Sequence, residues 1–151
     1  MKKLSRKSLF VLLFCLSSMA VSSNALAQDW PFTGGDFWTV TGIEVKDGGD
    51  LKYANWLASE WRKNAEFAVS KGWLKGYKVI GNVHPRKGEA DIYLIRIFES
   101  MPSGPEGEKR YAEYMEWQSK TEQQMDEESG NRAVYREVLS TSLLQEMNFK
   151  D

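Results

Sequence analysis

The single histidine of this sequence, His84, is its most versatile chemical group. Imidazole titrates near neutral pH, so His84 can act as a general base or as a haem ligand. The residue also stands directly before Pro85 at the mouth of a predicted hairpin, where a half-exposed histidine needs no function. Both interpretations stay open, and no catalytic residue is identified beyond the candidate His84.

A second candidate is Arg96, which lies between Leu94 and Phe98 in an apolar run. A permanent charge in such a place is costly unless it is paired. Arg96 therefore either binds an anionic ligand or pairs with a carboxylate inside the protein. Glu44 and Glu146, on the first and last predicted strands, can supply that carboxylate.

Asn82 and Trp38 complete the predicted ligand-binding set with His84 and Arg96. Trp38 can stack on a flat ligand, although the face of its strand is ambiguous, whereas the helical register of Trp61 indicates core packing. No metal site and no cofactor are predicted, because one histidine without cysteines in residues 28–151 cannot form a standard zinc site and no nucleotide-binding loop is present.

The first 27 residues have the pattern of a bacterial Sec-type signal peptide. Basic residues precede an apolar run, and Ala25 and Ala27 stand where signal peptidase requires small side chains. We expect cleavage after Ala27, which removes Cys15, and a periplasmic or secreted location. The apolar run is shorter than the roughly 20 residues of a membrane span, so no membrane association is expected after cleavage.

The charge of the remaining chain disfavours polyanionic partners. The signal contains four of the basic residues and no acidic ones, which leaves 16 Lys and Arg against 21 Asp and Glu and a net charge of −5. This balance argues against nucleic acid and anionic lipid as partners.

Hydrophobic periodicity predicts an irregular lead-in (28–36) followed by one α+β domain (37–151). The predicted elements are a strand (37–45), a helix (51–71), two strands (77–84 and 91–99) joined by a hairpin loop (85–90), a helical segment (108–125) that resumes at 132–139, and a last strand (142–150). The order β-α-β-β-α-β predicts a ferredoxin-like fold, a four-stranded antiparallel sheet with both helices on one face.

Strand alternation then predicts which side chains the helices cover. The predicted covered set is Val79, Val83, Tyr93, Ile95 and Ile97, and the predicted uncovered set is Ile80, Asn82, His84, Ile92, Leu94, Arg96 and Phe98. This assignment places Asn82, His84 and Arg96 together.

In element order and length, residues 37–150 resemble the dimeric α+β barrel superfamily, in which two ferredoxin-like subunits pack sheet to sheet around a cavity. The resemblance implies a homodimer. It fits three hypotheses: a binding protein for a small apolar or aromatic ligand, a cofactor-independent oxygenase or isomerase with His84 as base, and a structural or interaction protein without a ligand. The absence of a recognisable nucleophile or cofactor loop favours binding, and whether the protein is an enzyme stays open.

Overall fold

The structure is a computed structural model, and it describes residues 30–151. The expected signal peptide, with Cys15 and the cleavage position after Ala27, lies outside the described residues. Within the described part, no helix is long and apolar enough to cross a membrane.

The described residues contain one antiparallel sheet of four strands. Its strands are β1 (Phe32–Val45), β2 (Gly76–Gly81), β3 (Ile92–Phe98) and β4 (Arg136–Phe149), in the spatial order β2-β3-β1-β4. The α+β class and the four-stranded antiparallel sheet are thus confirmed. β1 begins inside the predicted irregular lead-in, because Phe32 pairs with Phe149 of β4 and their ring centroids lie 4.7 Å apart.

Three helices connect the strands in the described chain. Helix α1 comprises Asp50–Trp56, a π-helical turn at Leu57–Trp61, and Arg62–Ser70. Helices α2 (Gly104–Gln118) and α3 (Glu122–Arg132) both lie between β3 and β4. The predicted helical segment at 132–139 is wrong, since β4 already begins at Arg136.

Capping residues explain why the chain forms two helices over 104–132, where the prediction placed one uninterrupted segment over 108–125 and a break after it. The Ser103 hydroxyl accepts a hydrogen bond from the Glu106 amide and starts α2 four residues before its predicted beginning. Ser119, in the left-handed conformation, ends that helix. Thr121 and Gln124 then form a capping box that starts α3.

The core lies between the sheet and α1. Its buried residues are Ile43, Tyr53, Leu57, Trp61, Ala65 and Leu94. We call the sheet face that carries Thr39, Thr41, Ile43, Leu94 and Arg96 the helix face, since Ile43 and Leu94 pack there on α1. The opposite surface, which carries Trp38, Val40, Tyr93, Ile95 and Ile97, is the open face.

The predicted orientation of β2 agrees with the register, but that of β3 is wrong. Val79 pairs with Leu94 and lies on the helix face, while Ile80 pairs with Tyr93 on the open face. The β3 side chains assigned to the uncovered face, Ile92, Leu94, Arg96 and Phe98, instead lie on the helix face. Every β3 residue except Arg96 is apolar or aromatic, so alternation could not distinguish the two faces. The charge of Arg96 alone led to the wrong prediction that its face is uncovered.

Candidate functional site

A cavity of about 490 Å³ lies between α1, β3 and α2. We call it the large cavity, and its volume falls within the roughly 300–1,000 Å³ typical of small-molecule sites. Its apolar and aromatic lining consists of Ala68, Trp73, Leu74, Phe98, Met101, Pro102, Tyr111 and Tyr114. Two arginines, Arg96 and Arg110, line it as well, and its lining contains no Asp or Glu from the described part of the chain. The large cavity is therefore apolar with a positive charge balance.

Arg96 brings a cation into this cavity without a carboxylate partner among the described residues. Its guanidinium carbon lies 5.9 Å from the centre of the Trp61 ring. The side chain is accessible to solvent, yet the surrounding protein atoms lower the pKa of Arg96 by desolvation. Glu44 follows Ile43 and Glu146 follows Gln145, so both proposed partners lie on the open face and cannot neutralise Arg96.

Arg110 differs from Arg96 because its charge is balanced. Its Nε donates to Glu106 Oε1 at 2.8 Å, one helical turn earlier in α2. The guanidinium also stands 5.9 Å from the centre of the Trp73 ring. Arg110 is therefore part of the cavity wall, and Arg96 is the cation available to a ligand.

Asn64 and Tyr114 add polar groups to the large cavity. The Gln118 amide nitrogen donates to the Tyr114 hydroxyl oxygen at 2.8 Å and also to Asn64 Oδ1. Because both oxygens act as acceptors there, the Tyr114 hydroxyl proton and the Asn64 amide protons stay available for a ligand. The polar groups of the cavity are thus mainly donors.

A second cavity of about 160 Å³ lies between the helix face and the first half of α1. We call it the small cavity. Thr39, Thr41, Tyr53 and Arg136 line it, together with Arg96, which lines both cavities. Among the residues that the structure describes, Asp and Glu are again absent from the lining.

The π-helical turn of α1 lies directly against the small cavity. Trp56 precedes the turn and Trp61 ends it, and both side chains line the cavity. A π-helical turn widens one turn of a helix and occurs frequently at functional sites. Here it sets the positions of two tryptophans beside the arginines.

Asn82 and His84 lie outside both cavities. β2 ends at Gly81, so the two residues belong to the hairpin loop, where strand alternation no longer applies. Asn82 Nδ2 donates to the Ala90 carbonyl at 3.1 Å, and Asn82 Oδ1 accepts from the His84 amide at 3.2 Å. Asn82 therefore stabilises the hairpin, and the exposed His84 does not share a cavity with Arg96.

Trp38 lies on the open face, where it pairs with Ile97 of β3 and Leu144 of β4. The Lys78 amino group stands 5.0 Å from the centre of its ring. The Trp38 indole nitrogen is buried without a hydrogen-bond partner in the described part of the molecule. Of the four predicted ligand-binding residues, the structure places only Arg96 in a cavity.

The sequence interpretation missed Asn64, Tyr53 and Arg136. Asn64 lies three residues after Trp61, on the apolar side of α1, and a polar residue in that stripe was a usable signal. Tyr53 was not singled out from the sequence. Arg136 fell in the segment wrongly predicted as helix.

Comparison of the chain with protein-family models, with curated proteins and with solved structures finds no match. Within residues 30–151, no group of three or more His, Cys, Asp or Glu side chains is arranged to hold a metal ion.

Proposed function

We propose that the protein acts outside the cytoplasm as a binding protein for a small organic anion with an apolar or aromatic body. The observation that carries the proposal is Arg96, a cation without a carboxylate partner among residues 30–151, in a large cavity whose other described walls are mostly apolar. An apolar body gains free energy by leaving water among Trp73, Phe98 and Met101. Its acidic end supplies the counter-charge that Arg96 lacks.

The same site argues against the hypothesis of an oxygenase or isomerase with His84 as base. The candidate base His84 lies in the hairpin loop, away from the donors of the large cavity. A general base must reach the proton that it removes, directly or through one water. Binding is therefore the function that the geometry supports best.

The finer architecture is also a proposal. We propose that the domain is a ferredoxin-like unit of the dimeric α+β barrel type and that two copies pair through their open faces. The open face carries Trp38, Val40, Tyr93, Ile95 and Ile97, and two further apolar side chains there, Ile80 and Leu144, are about half exposed. A partly exposed apolar cluster of this kind on a sheet face is typical of an interface.

An aromatic carboxylate and its amide test the ligand proposal. We expect naphthoate to bind the wild-type protein at least about tenfold more tightly than naphthamide, because a hydrogen bond to a charged group contributes roughly 1.5–3 kcal/mol. Arg96→Gln should abolish this difference while the melting temperature stays close to wild type. Titration calorimetry of wild type and Arg96→Gln with both compounds measures the difference in affinity.

Arg86→Gln is the matched control, since Arg86 lies in the hairpin loop and pairs with Glu89 at 2.6 Å. It should keep the preference for the carboxylate. Equal affinities of wild type and Arg96→Gln for naphthoate would refute the proposed role of Arg96. A fall in melting temperature without a change in affinity would instead indicate that Arg96 is structural.

A further inference from the structure

Two arginines line the small cavity, and a third, Arg132, lies behind the Trp56 ring in its wall and lines a separate cavity with Glu60 and Glu128. Arg96 and Arg136 line the cavity. The Arg132 guanidinium carbon stands 4.4 Å from the centre of the Trp56 ring, and that ring forms part of the cavity wall. None of the three makes an ion pair with another described residue.

The charges of Arg132 and Arg136 act on each other. Desolvation lowers the pKa of Arg132, and the nearby charge of Arg136 lowers it further. Glu128 acts in the opposite direction on Arg132 but already forms an ion pair with Lys120 at 2.7 Å. Like charges held close together in a partly buried place call for an anion between or beside them.

Buried donors around the same cavity also lack acceptors. Tyr53 is 1 % exposed, and its hydroxyl has no hydrogen-bond partner among the described residues. The same is true of the buried Nε atoms of Arg132 and Arg136. Buried polar groups in native proteins are almost always hydrogen-bonded, so the unpartnered donors of Tyr53 and Arg136, which both line the small cavity, indicate a missing acceptor.

The Tyr53 side chain does not supply the missing negative charge. Burial raises the pKa of Tyr53 to about 12, although Arg136 and Arg132 both act to lower it. The phenol is therefore neutral at physiological pH and acts as a donor. Thr39 and Thr41 contribute further hydroxyl groups to the lining.

We propose that the small cavity is a binding site for a small oxyanion, held by Arg96 and Arg136 and by the Tyr53 hydroxyl. Its volume of about 160 Å³ is below that of typical organic-ligand sites and suits a group of a few heavy atoms. The guanidinium groups match phosphate, sulfate and carboxylate oxygens in geometry and charge. Because Arg96 lines both cavities, the oxyanion is either a free inorganic ion or the acidic end of the ligand in the large cavity.

Thermal unfolding in sodium phosphate or sodium sulfate, against sodium chloride of equal ionic strength, tests the site. Phosphate or sulfate should raise the melting temperature of the wild-type protein, and calorimetry should give saturable binding. Tyr53→Phe and Arg136→Gln should each weaken that binding by about tenfold or more. Both variants should be at least as stable as wild type in chloride, since each removes a buried group that lacks a partner.

Gly107→Leu separates this site from the large cavity. Of the two cavities, Gly107 lines only the large one, and a Cβ atom there would meet no described atom within 4 Å, so we expect a leucine to extend into that cavity while α2 stays intact. The variant should lose naphthoate binding and keep phosphate or sulfate binding if the oxyanion is free. If the oxyanion is the acidic end of the larger ligand, phosphate should compete with naphthoate in the wild-type protein, and Tyr53→Phe should weaken naphthoate binding as well.

Arg62→Gln is the control, because Arg62 pairs with Glu66 on the exposed side of α1, outside both cavities. It should respond to phosphate and sulfate as wild type does. Equal responses of wild type to all three salts together with full naphthoate binding by Tyr53→Phe would overturn the proposal. If Tyr53→Phe and Arg136→Gln were both less stable than wild type in chloride, the proposal would also be overturned. That result would show that the Tyr53 hydroxyl and the Arg136 guanidinium already have hydrogen-bond partners in the protein.

Discussion

Arg96 and Arg110 line the same cavity, and the role of each depends on whether it has an ion-pair partner. The i, i+4 ion pair with Glu106 satisfies Arg110 within its own helix. Arg96 lies on a strand whose helix-face neighbours are Thr39 and Tyr77, neither of which is a carboxylate. The sheet register thus leaves Arg96 without a carboxylate beside it on the described strands. Its side chain lines both cavities.

Tyr53 gives a pH-dependent prediction at the same scale. Its pKa of about 12 in the folded protein lies above the ordinary value of 10.0. A group whose pKa is raised on folding stabilises the protein fully below its unfolded pKa and loses that contribution as the pH rises through the folded value. Tyr53 should therefore destabilise the wild-type protein progressively between pH 10 and 12.

We expect the free energy of unfolding of wild type, relative to Tyr53→Phe, to fall by about 2 kcal/mol between about pH 9 and about pH 11.5. Urea unfolding of both proteins in chloride buffer at several pH values measures this difference. Because the two proteins share every other titrating group, those groups cancel. Parallel loss of stability in the two proteins would mean that the Tyr53 phenol ionises as freely in the folded as in the unfolded state.

At the scale of elements, the loop between β1 and α1 is fixed against the start of β4. The Lys46 amide donates to the Tyr135 carbonyl at 3.0 Å, and the Lys46 amino group donates to the Ala133 carbonyl at 2.7 Å. Gly49 is buried at this contact. A Cβ atom there would lie 2.8 Å from the Lys46 carbonyl oxygen and still closer to that of Tyr135.

Gly49→Ala should therefore destabilise the protein by about 1–3 kcal/mol, because backbone atoms on both sides would have to shift. Gly130→Ala is the matched control: Gly130 lies within α3, and a Cβ there meets no atom within 4 Å. This second change should raise stability by up to about 1 kcal/mol through better helix propensity. Thermal unfolding compares the two, and shifts of the same sign would contradict the packing argument.

Much of the element order could be predicted, because α1 has a clear helical period and the strands are rich in apolar and β-branched residues. The region between β3 and β4 could not be assigned correctly by hydrophobicity alone. Pro105 and its neighbouring glycines are residues typical of a loop, yet with Ser103 as cap they begin α2. The capping box of Thr121 and Gln124 was the local signal for a separate α3.

The site was less predictable than the fold. Arg96 was recognisable because a lone charge in an apolar strand needs a partner. Tyr53 and Arg136 were not, since Tyr53 belongs to a helix and Arg136 to a distant strand, and only the sheet register brings these elements together. Asn82 and His84 were misplaced because the strand ends at Gly81, before the alternation reaches them.

At the scale of the whole domain, the two faces of the sheet differ in what covers them. α1 packs on the helix face, and the ring contacts of Phe67 with Tyr114 and Trp117 join α2 to α1 on the same side. On the open face, Ile95 is only 5 % exposed, yet Ile80 and Leu144 around it are 44 % and 52 % exposed. The buried indole nitrogen of Trp38 also lies there without a partner among the described residues.

Leu143 and Leu144 provide a matched test of the proposed homodimer. They are adjacent in β4 and equally exposed, at 53 % and 52 %, but Leu143 pairs with Thr39 on the helix face and Leu144 with Trp38 on the open face. In an isologous pairing through the open face, Leu144→Glu buries a charge in both subunits, a cost of several kcal/mol that should dissociate the dimer. Leu143→Glu stays in solvent and should leave the dimer intact. Light scattering at micromolar concentration measures the mass of all three proteins. A monomeric wild-type protein would exclude the open face as the interface. So would a dimer that Leu143→Glu dissociates and Leu144→Glu leaves intact.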